Sequence, residues 1–204
     1  SLEKLRGAEA IATLMTLSDP SFMNGRQEAR DQAWMDLGLF WEHNFGMVGT
    51  PDDRRQERIA WQKRLDGEIS AYVNMLSHAG SSALGSSIVK DGDNPGFFVF
   101  NPLNWMRTDY ADFPYGRTNP VHVVDKTTGD EVPSQLIEVD GKKCLRILAA
   151  QIPSMGYKVF EILDGKGQEF AGNVSANGNV IENQYYQITV AENGAIVSWK
   201  DKAR

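Results

Sequence analysis

An α+β chain, an antiparallel three-helix bundle followed by an antiparallel β-sandwich, is the fold class that three observations predict. Apolar residues recur at helical spacing up to about residue 90. Beyond that point they alternate, or bunch in short runs separated by Gly, Pro, Asn and Asp. Dense breaker segments such as "SDPSFMNG" separate the helical stretches from one another. The predicted organisation is a helical bundle over residues 1–92, a small β-sandwich over 93–165, and over 166–204 a linker and the first hairpin of a larger β domain.

The first helix is expected over residues 2–17, with Leu5, Ala8, Ala12 and Met15 on one face. The second starts near Arg26, and Ala33, Leu37, Phe40, Trp41 and Asn44 fall along one stripe flanked by Trp34 and Gly38. The third opens at "TPDD": Thr50 can cap, Pro51 suits the first helical position, and Asp52 and Asp53 favour the positive end of the helix dipole. Its stripe is Trp61, Leu65, Ile69, Tyr72 and Leu76, and three helices in antiparallel succession are the economical packing.

From residue 97 the strand-like runs are "FFVFN", "TDYADF", "VHVVD", "SQLIEV", "CLRILAA" and "YKVFEIL". "DKTTGDEVP" and "VDGKK" read as hairpin turns, since Gly tolerates the positive φ that tight turns need. Meander or Greek-key pairing of these strands gives a sandwich. Residues 164–179, rich in Gly and Asn, read as a linker or long loop, and "VIENQYYQITVAENGAIVSWKD" as a two-strand hairpin around "AENGA". Two strands alone are marginal in water, so this piece joins the sandwich or belongs to a further domain.

Composition narrows the function classes. The 204 residues are 41% hydrophobic and 10% aromatic, a normal globular balance. A formal charge of -6 with both signs interspersed offers no basic stripe for a phosphate backbone, so nucleic acid is not an expected partner. Cys144 is the single cysteine, which excludes an internal disulfide and a Cys-based zinc cluster. Apolar runs such as "FFVF" are far below the ~18 residues of a membrane span, so no membrane association is expected. The start "SLEKLRGAEA" lacks a signal-peptide core, and both ends read as those of a piece cut from a longer protein.

The order of several segments carries a resemblance. "LRGAEA", "AWMDLGLFWEHNFGMVGT", "FFVFNPLNWMRTDY", "VVDKTTGDEVPSQ", "AAQIPSMGYKVFEI" and "VIENQYYQITVAENGAIVSWKDK" follow one another as in the middle and following β regions of glycoside hydrolase family 38, the α-mannosidases and their relatives. The chain resembles that part of the family over nearly its full length. The resemblance implies a zinc-dependent retaining glycosidase, in which one carboxylate is the nucleophile, a second is the acid and base, and zinc holds the sugar hydroxyls. It also implies that the nucleophile and most zinc ligands lie upstream, in an α/β domain outside these residues. No residue here is therefore assigned a catalytic role, and the chain alone is expected to be inactive. The implied partners are an α-mannoside or related carbohydrate in the intact protein, the upstream catalytic domain and the downstream β domain.

The family takes one zinc ligand, a histidine followed by an aspartate, from the end of the second bundle helix. Counting back from Gly49 and Thr50 puts Asn44 and Phe45 on those positions. Counting forward from Trp34 puts His43 on the ligand and Asn44 on the aspartate, with one extra residue in "GMVG". The second register is preferred, because an insertion inside a helix of ~3.6 residues per turn rotates every later side chain by about 100°, whereas a Gly-containing loop absorbs it. His43 is then the metal residue and Asn44 the substrate-binding residue, able to hydrogen-bond a sugar hydroxyl but bringing no charge. Against this stands a plain helix-end histidine satisfied by a carbonyl or by the dipole; Glu42 reads as a solvated residue or one that backs the metal ligands, not as a catalytic acid.

Other candidates have structural readings. His78 is expected near the end of the third helix and His122 at an exposed strand position. "KDGDN" has alternate carboxylates but lacks the rest of a calcium loop, and reads as an interdomain turn. "NVS" at 173–175 fits a glycosylation acceptor formally. Trp105, Trp199, Tyr185 and Tyr186 could stack on sugar rings, with core packing the ordinary alternative. Arg107 could pair with an acid across a domain boundary. Two competing functions stay open: a scaffold or carbohydrate-contacting module of a parent with altered chemistry, suggested by Asn44, and a helical docking module, which needs an exposed apolar patch.

Overall fold

The computed structural model describes residues 2–41, 52–170, 172 and 174–203. Contacts divide the chain into two compact units, Ser1–Lys166 and Gly167–Arg204. The predicted class holds: three helices precede antiparallel sheets.

In the first unit α1 (Leu2–Ser18), α2 (Gln27–Phe40) and α3 (Asp52–Ser87) form the bundle. Leu5, Ala8 and Ala12 of α1 pack with Ala33 and Leu37 of α2 and with Ile69, Tyr72, Val73 and Leu76 of α3. The stripes expected for α1 and for the middle of α3 are thus buried. The α2 stripe stops at Leu37, because Phe40 and Trp41 are 37% and 65% exposed. Helix α3 also runs on to Ser87, which places His78 inside the helix instead of at its end.

Helices α1 and α3 approach closely at Gly80. A Cβ there would lie 2.7 Å from Ile11 Cγ2, and a β-branched side chain has little rotamer freedom with which to yield. Alanine would gain up to ~1 kcal/mol of helix propensity but incur an overpacking cost of ~1–3 kcal/mol. Gly80→Ala is therefore expected to destabilise the bundle by about 1 kcal/mol net, and urea denaturation should show the loss vanish in an Ile11→Ala background.

The sandwich has two sheets. One is ordered β1-β7-β3-β4, built from β1 (Gly96–Asn101), β3 (Val121–Asp125), β4 (Glu131–Val132) and β7 (Gly156–Asp164). The other is ordered β2-β6-β5, built from β2 (Arg107–Pro114), β5 (Ser134–Val139) and β6 (Lys142–Ile152). All pairings are antiparallel. The core between the sheets contains Val123, Leu145, Ile147, Ala149 and Phe160. Phe97 bridges the sheets, stacking on Phe113 at 4.6 Å and on Phe160 at 5.6 Å between centroids.

Both predicted turns form. Asp140 and Gly141 have φ of 49° and 73°, the double positive φ that matches a two-residue turn to the twist of its strands. In the β3–β4 turn the buried Asp125 accepts the Thr127 N–H at 2.8 Å, and its other carboxylate oxygen accepts Lys158 Nζ at 2.8 Å. Burial works to raise the Asp125 pKa, but Lys158 and the Thr127 N–H together hold it below the usual carboxylate value.

Sandwich and bundle share an apolar cluster. Ile11 and Met15 of α1 and Leu84 of α3 meet Phe98 and Phe100 of β1.

The second unit is a four-stranded meander in the order β11-β10-β9-β8, from β8 (Val174–Asn177), β9 (Val180–Asn183), β10 (Tyr186–Val190) and β11 (Ile196–Asp201). It has two strands more than the hairpin read from sequence. The run "VIENQYYQITV" is two strands because Asn183 Oδ1 accepts the N–H groups of Tyr185 and Tyr186, at 2.8 and 2.7 Å, and turns the chain. Gly178, at φ 59°, turns β8 back onto β9 within the segment expected to be loop. Register places Ala176, Ile181, Ile188 and Trp199 in one cross-strand row. Glu182 lies in the adjacent row, bound to Gln187 and Lys202.

No helix among the described residues is long and apolar enough to cross a membrane.

Candidate functional site

The candidate site is the C-terminal end of α2 and the segment that follows it. Ala33 and Leu37 anchor this helix in the bundle core. Beside them Trp34 Nε1 donates to Glu9 Oε1 at 2.8 Å, and the Tyr72 hydroxyl donates to the same oxygen at 3.1 Å. One carboxylate oxygen of α1 thus fixes α2 and α3 together. Burial, with the Glu9 charge beside it, pushes the Tyr72 phenol above its ordinary range, so it remains a neutral donor.

One turn further along, Asp36 is only 1% exposed. Its Oδ1 accepts Gln32 Nε2 at 2.7 Å, whereas Oδ2 is buried without a hydrogen-bond partner among the described residues. Sequence patterning gave no signal for this residue, since an aspartate beside a buried leucine reads as a flank. A buried acceptor without a donor costs ~1–3 kcal/mol, more when charged. Asp36→Leu is accordingly expected to raise bundle stability by about 1–3 kcal/mol, read as a higher thermal midpoint.

The helix stays regular to its end. The Trp41 N–H donates to the Leu37 carbonyl at 3.1 Å, continuing the helical pattern past Phe40. Met35 and Leu39, 60% and 40% exposed, lie one turn apart on α2, and Trp41, one turn beyond the buried Leu37, is 65% exposed.

Glu42, His43 and Asn44 lie outside the described residues, as do Thr50 and Pro51. Asn173 of the formal glycosylation pattern also lies outside them. Among the described residues no group of three or more His, Cys, Asp and Glu could hold a metal. These residues therefore do not by themselves furnish a zinc site.

The remaining candidates are dispersed. His122 is half-buried on β3, its Nδ1 3.1 Å from the Gly165 carbonyl oxygen, which is a structural use. Arg107 pairs with Asp109 of its own strand. Trp105 sits in the turn before β2, 59% exposed. Tyr186 and Trp199 meet edge to face at 5.6 Å, with Tyr185 adjoining at 6.4 Å. These three rings are exposed, so core packing within this chain is not their role. "KDGDN" connects α3 to β1, with Gly92 at φ 91°.

No family model matches the chain, and no curated protein matches it. Solved structures do. A protein of glycosyl hydrolase family 38 from Enterococcus faecalis superposes with a TM-score of 0.72 at 16% identity, covering 99% of this chain and 28% of that one. An α-mannosidase from Enterococcus faecalis superposes with a TM-score of 0.66 at 15% identity, covering 98% of this chain and 27% of that one. The structural neighbours are therefore glycoside hydrolase family 38 and α-mannosidase chains, and this chain spans little more than a quarter of their length.

Proposed function

We propose that the chain is the helical middle and first β part of a zinc-dependent retaining glycoside hydrolase of the α-mannosidase type. Its role is to complete an active site whose catalytic carboxylates lie elsewhere in the longer protein. The observation that carries this reading is the superposition over 99% of the chain on a family 38 structure. Such a likeness needs the bundle and the strands after it to follow in one order.

In this proposal His43 supplies one metal ligand and Asn44 a neutral hydrogen-bonding group for a sugar hydroxyl. The regular course of α2 supports that register, since no bulge between Trp34 and Trp41 marks an extra residue within the helix. The exposed apolar side chains Met35, Leu39 and Trp41 of α2 support packing contacts with the upstream catalytic domain, and the apolar row of the meander supports one with the downstream β domain. Zinc, when bound, supplies Lewis-acid stabilisation at the sugar hydroxyls.

The deciding experiment uses the longer protein. His43→Ala is expected to lose bound zinc, read by atomic emission, and with it hydrolysis of an aryl α-mannoside. Unchanged zinc content would overturn the metal role. Asn44 favours the second reading, a scaffold or carbohydrate-contacting module with altered chemistry. Under that reading the longer protein stripped of metal regains no α-mannosidase activity on zinc addition.

A further inference from the structure

The first unit contains a cleft of about 410 Å³ where the end of α3 and the α3–β1 connection pass over β1 and β7. Its volume lies in the ~300–1,000 Å³ range of small-molecule sites, and it is lined mainly by apolar groups with a few polar ones, as such sites are. Ile88, Val89, Phe98 and Val159 form the apolar part. Glu161 is held from two directions: its Oε1 accepts Asn94 Nδ2 at 3.3 Å and its Oε2 lies 3.5 Å from Lys126 Nζ. Lys90 and Asp91 add a second opposite pair of charges to the lining.

We infer that this cleft binds a neutral, hydroxyl-rich small molecule with an apolar face, a pyranoside. Charge balance selects the class. A free anion meets Asp91 and Glu161, and a free cation meets Lys90 and Lys126, so neither gains a net field. A hydroxyl both donates and accepts. Glu161, with lone pairs beyond the two in use, and the Lys126 ammonium, with three donors, offer those complementary functions side by side. The C–H face of a sugar ring then covers the Phe98 and Val159 surface. The inference rests on the lining of the cleft and not on His43, so it can fail while the glycosidase reading stands, and the reverse.

The test is a titration of the ¹⁵N-labelled 204-residue chain with methyl α-D-mannopyranoside and methyl β-D-glucopyranoside, with hexanoate and hexylammonium as charged counterparts. The expected result is saturable shifts at Lys126, Glu161 and Val89 with a pyranoside, and none with either ion. Glu161→Gln should weaken binding about tenfold through loss of charge-assisted hydrogen bonds. Gly85→Leu blocks the cleft differently: a Cβ at Gly85 meets only Phe98 Cε1, at an ordinary 3.7 Å, so the first carbon clashes with nothing, and a variant whose thermal midpoint matches wild type is expected to lose binding. Absence of saturation with both pyranosides, preferential binding of an ion, or undiminished binding in folded Gly85→Leu would each overturn the inference.

Discussion

Asn101→Ala is expected to destabilise the β-sandwich by about 3 kcal/mol, because one side chain holds the whole turn between β1 and β2. Asn101 is 2% exposed. Its Nδ2 reaches the carbonyls of Trp105, Ile152 and Pro153 at 2.7, 3.2 and 3.1 Å, and its Oδ1 accepts the Leu103 N–H at 3.1 Å. Each bond is worth a net ~0.5–1.5 kcal/mol, and alanine leaves partners behind that cannot all reach water. Asn101→Asp should be no milder, since a carboxylate places charge against three carbonyls and has no hydrogen to give them. Denaturation followed by amide exchange at Phe160 and Val123 measures the cost. A loss below about 1 kcal/mol would mean that the turn holds without its asparagine.

Lys158→Met should cost a similar amount, about 3 kcal/mol, the lower end of what breaking a buried ion pair does. The Lys158 and Asp125 side chains are 13% and 6% exposed, and Lys158 Nζ also donates to the Ala150 carbonyl of β6 at 3.0 Å. The pair therefore ties β3, β7 and β6 together. Removing the ammonium strands a carboxylate in the interior, so the double variant Asp125→Asn/Lys158→Met should lose much less than the sum of its singles. The same pair sets a pH dependence. Because the Asp125 pKa is depressed in the folded state, its contribution is fully present above the unfolded value of ~3.9 and is lost as pH falls through the folded value. Wild-type stability should therefore drop in acid below about pH 4, and Asp125→Asn should flatten that drop.

Much of this fold was legible because its determinants are local. Leu5, Ala8, Ala12 and Met15 repeat at helical spacing and are buried. Asp140-Gly141 dictates its turn through backbone sterics alone. The meander was misread because its turn at Asn183 depends on a side chain bonding to N–H groups two and three residues on, inside an unbroken alternating pattern. Phe40 and Trp41 share the periodicity of the core stripe yet are exposed, because periodicity tells which side chains share a face and not how far the covering surface extends. The same limit hid Asp36, whose burial is a tertiary outcome. At the candidate site the sequence supplied residue types and two registers, while the regular course of α2 to Trp41 bears on the choice between them.

The apolar cluster of Ile11, Met15 and Leu84 with Phe98 and Phe100 also governs how this chain can be recombined. A crossover placed where the composition changes, near residue 92, would part Leu84 from Phe98 and open one core into two exposed halves. Parents whose side chains at these positions differ in volume would yield a chimera with a void or a clash at the seam. Bundle and sandwich are thus exchanged as one block, and the setting of α2 travels with the strands that follow it.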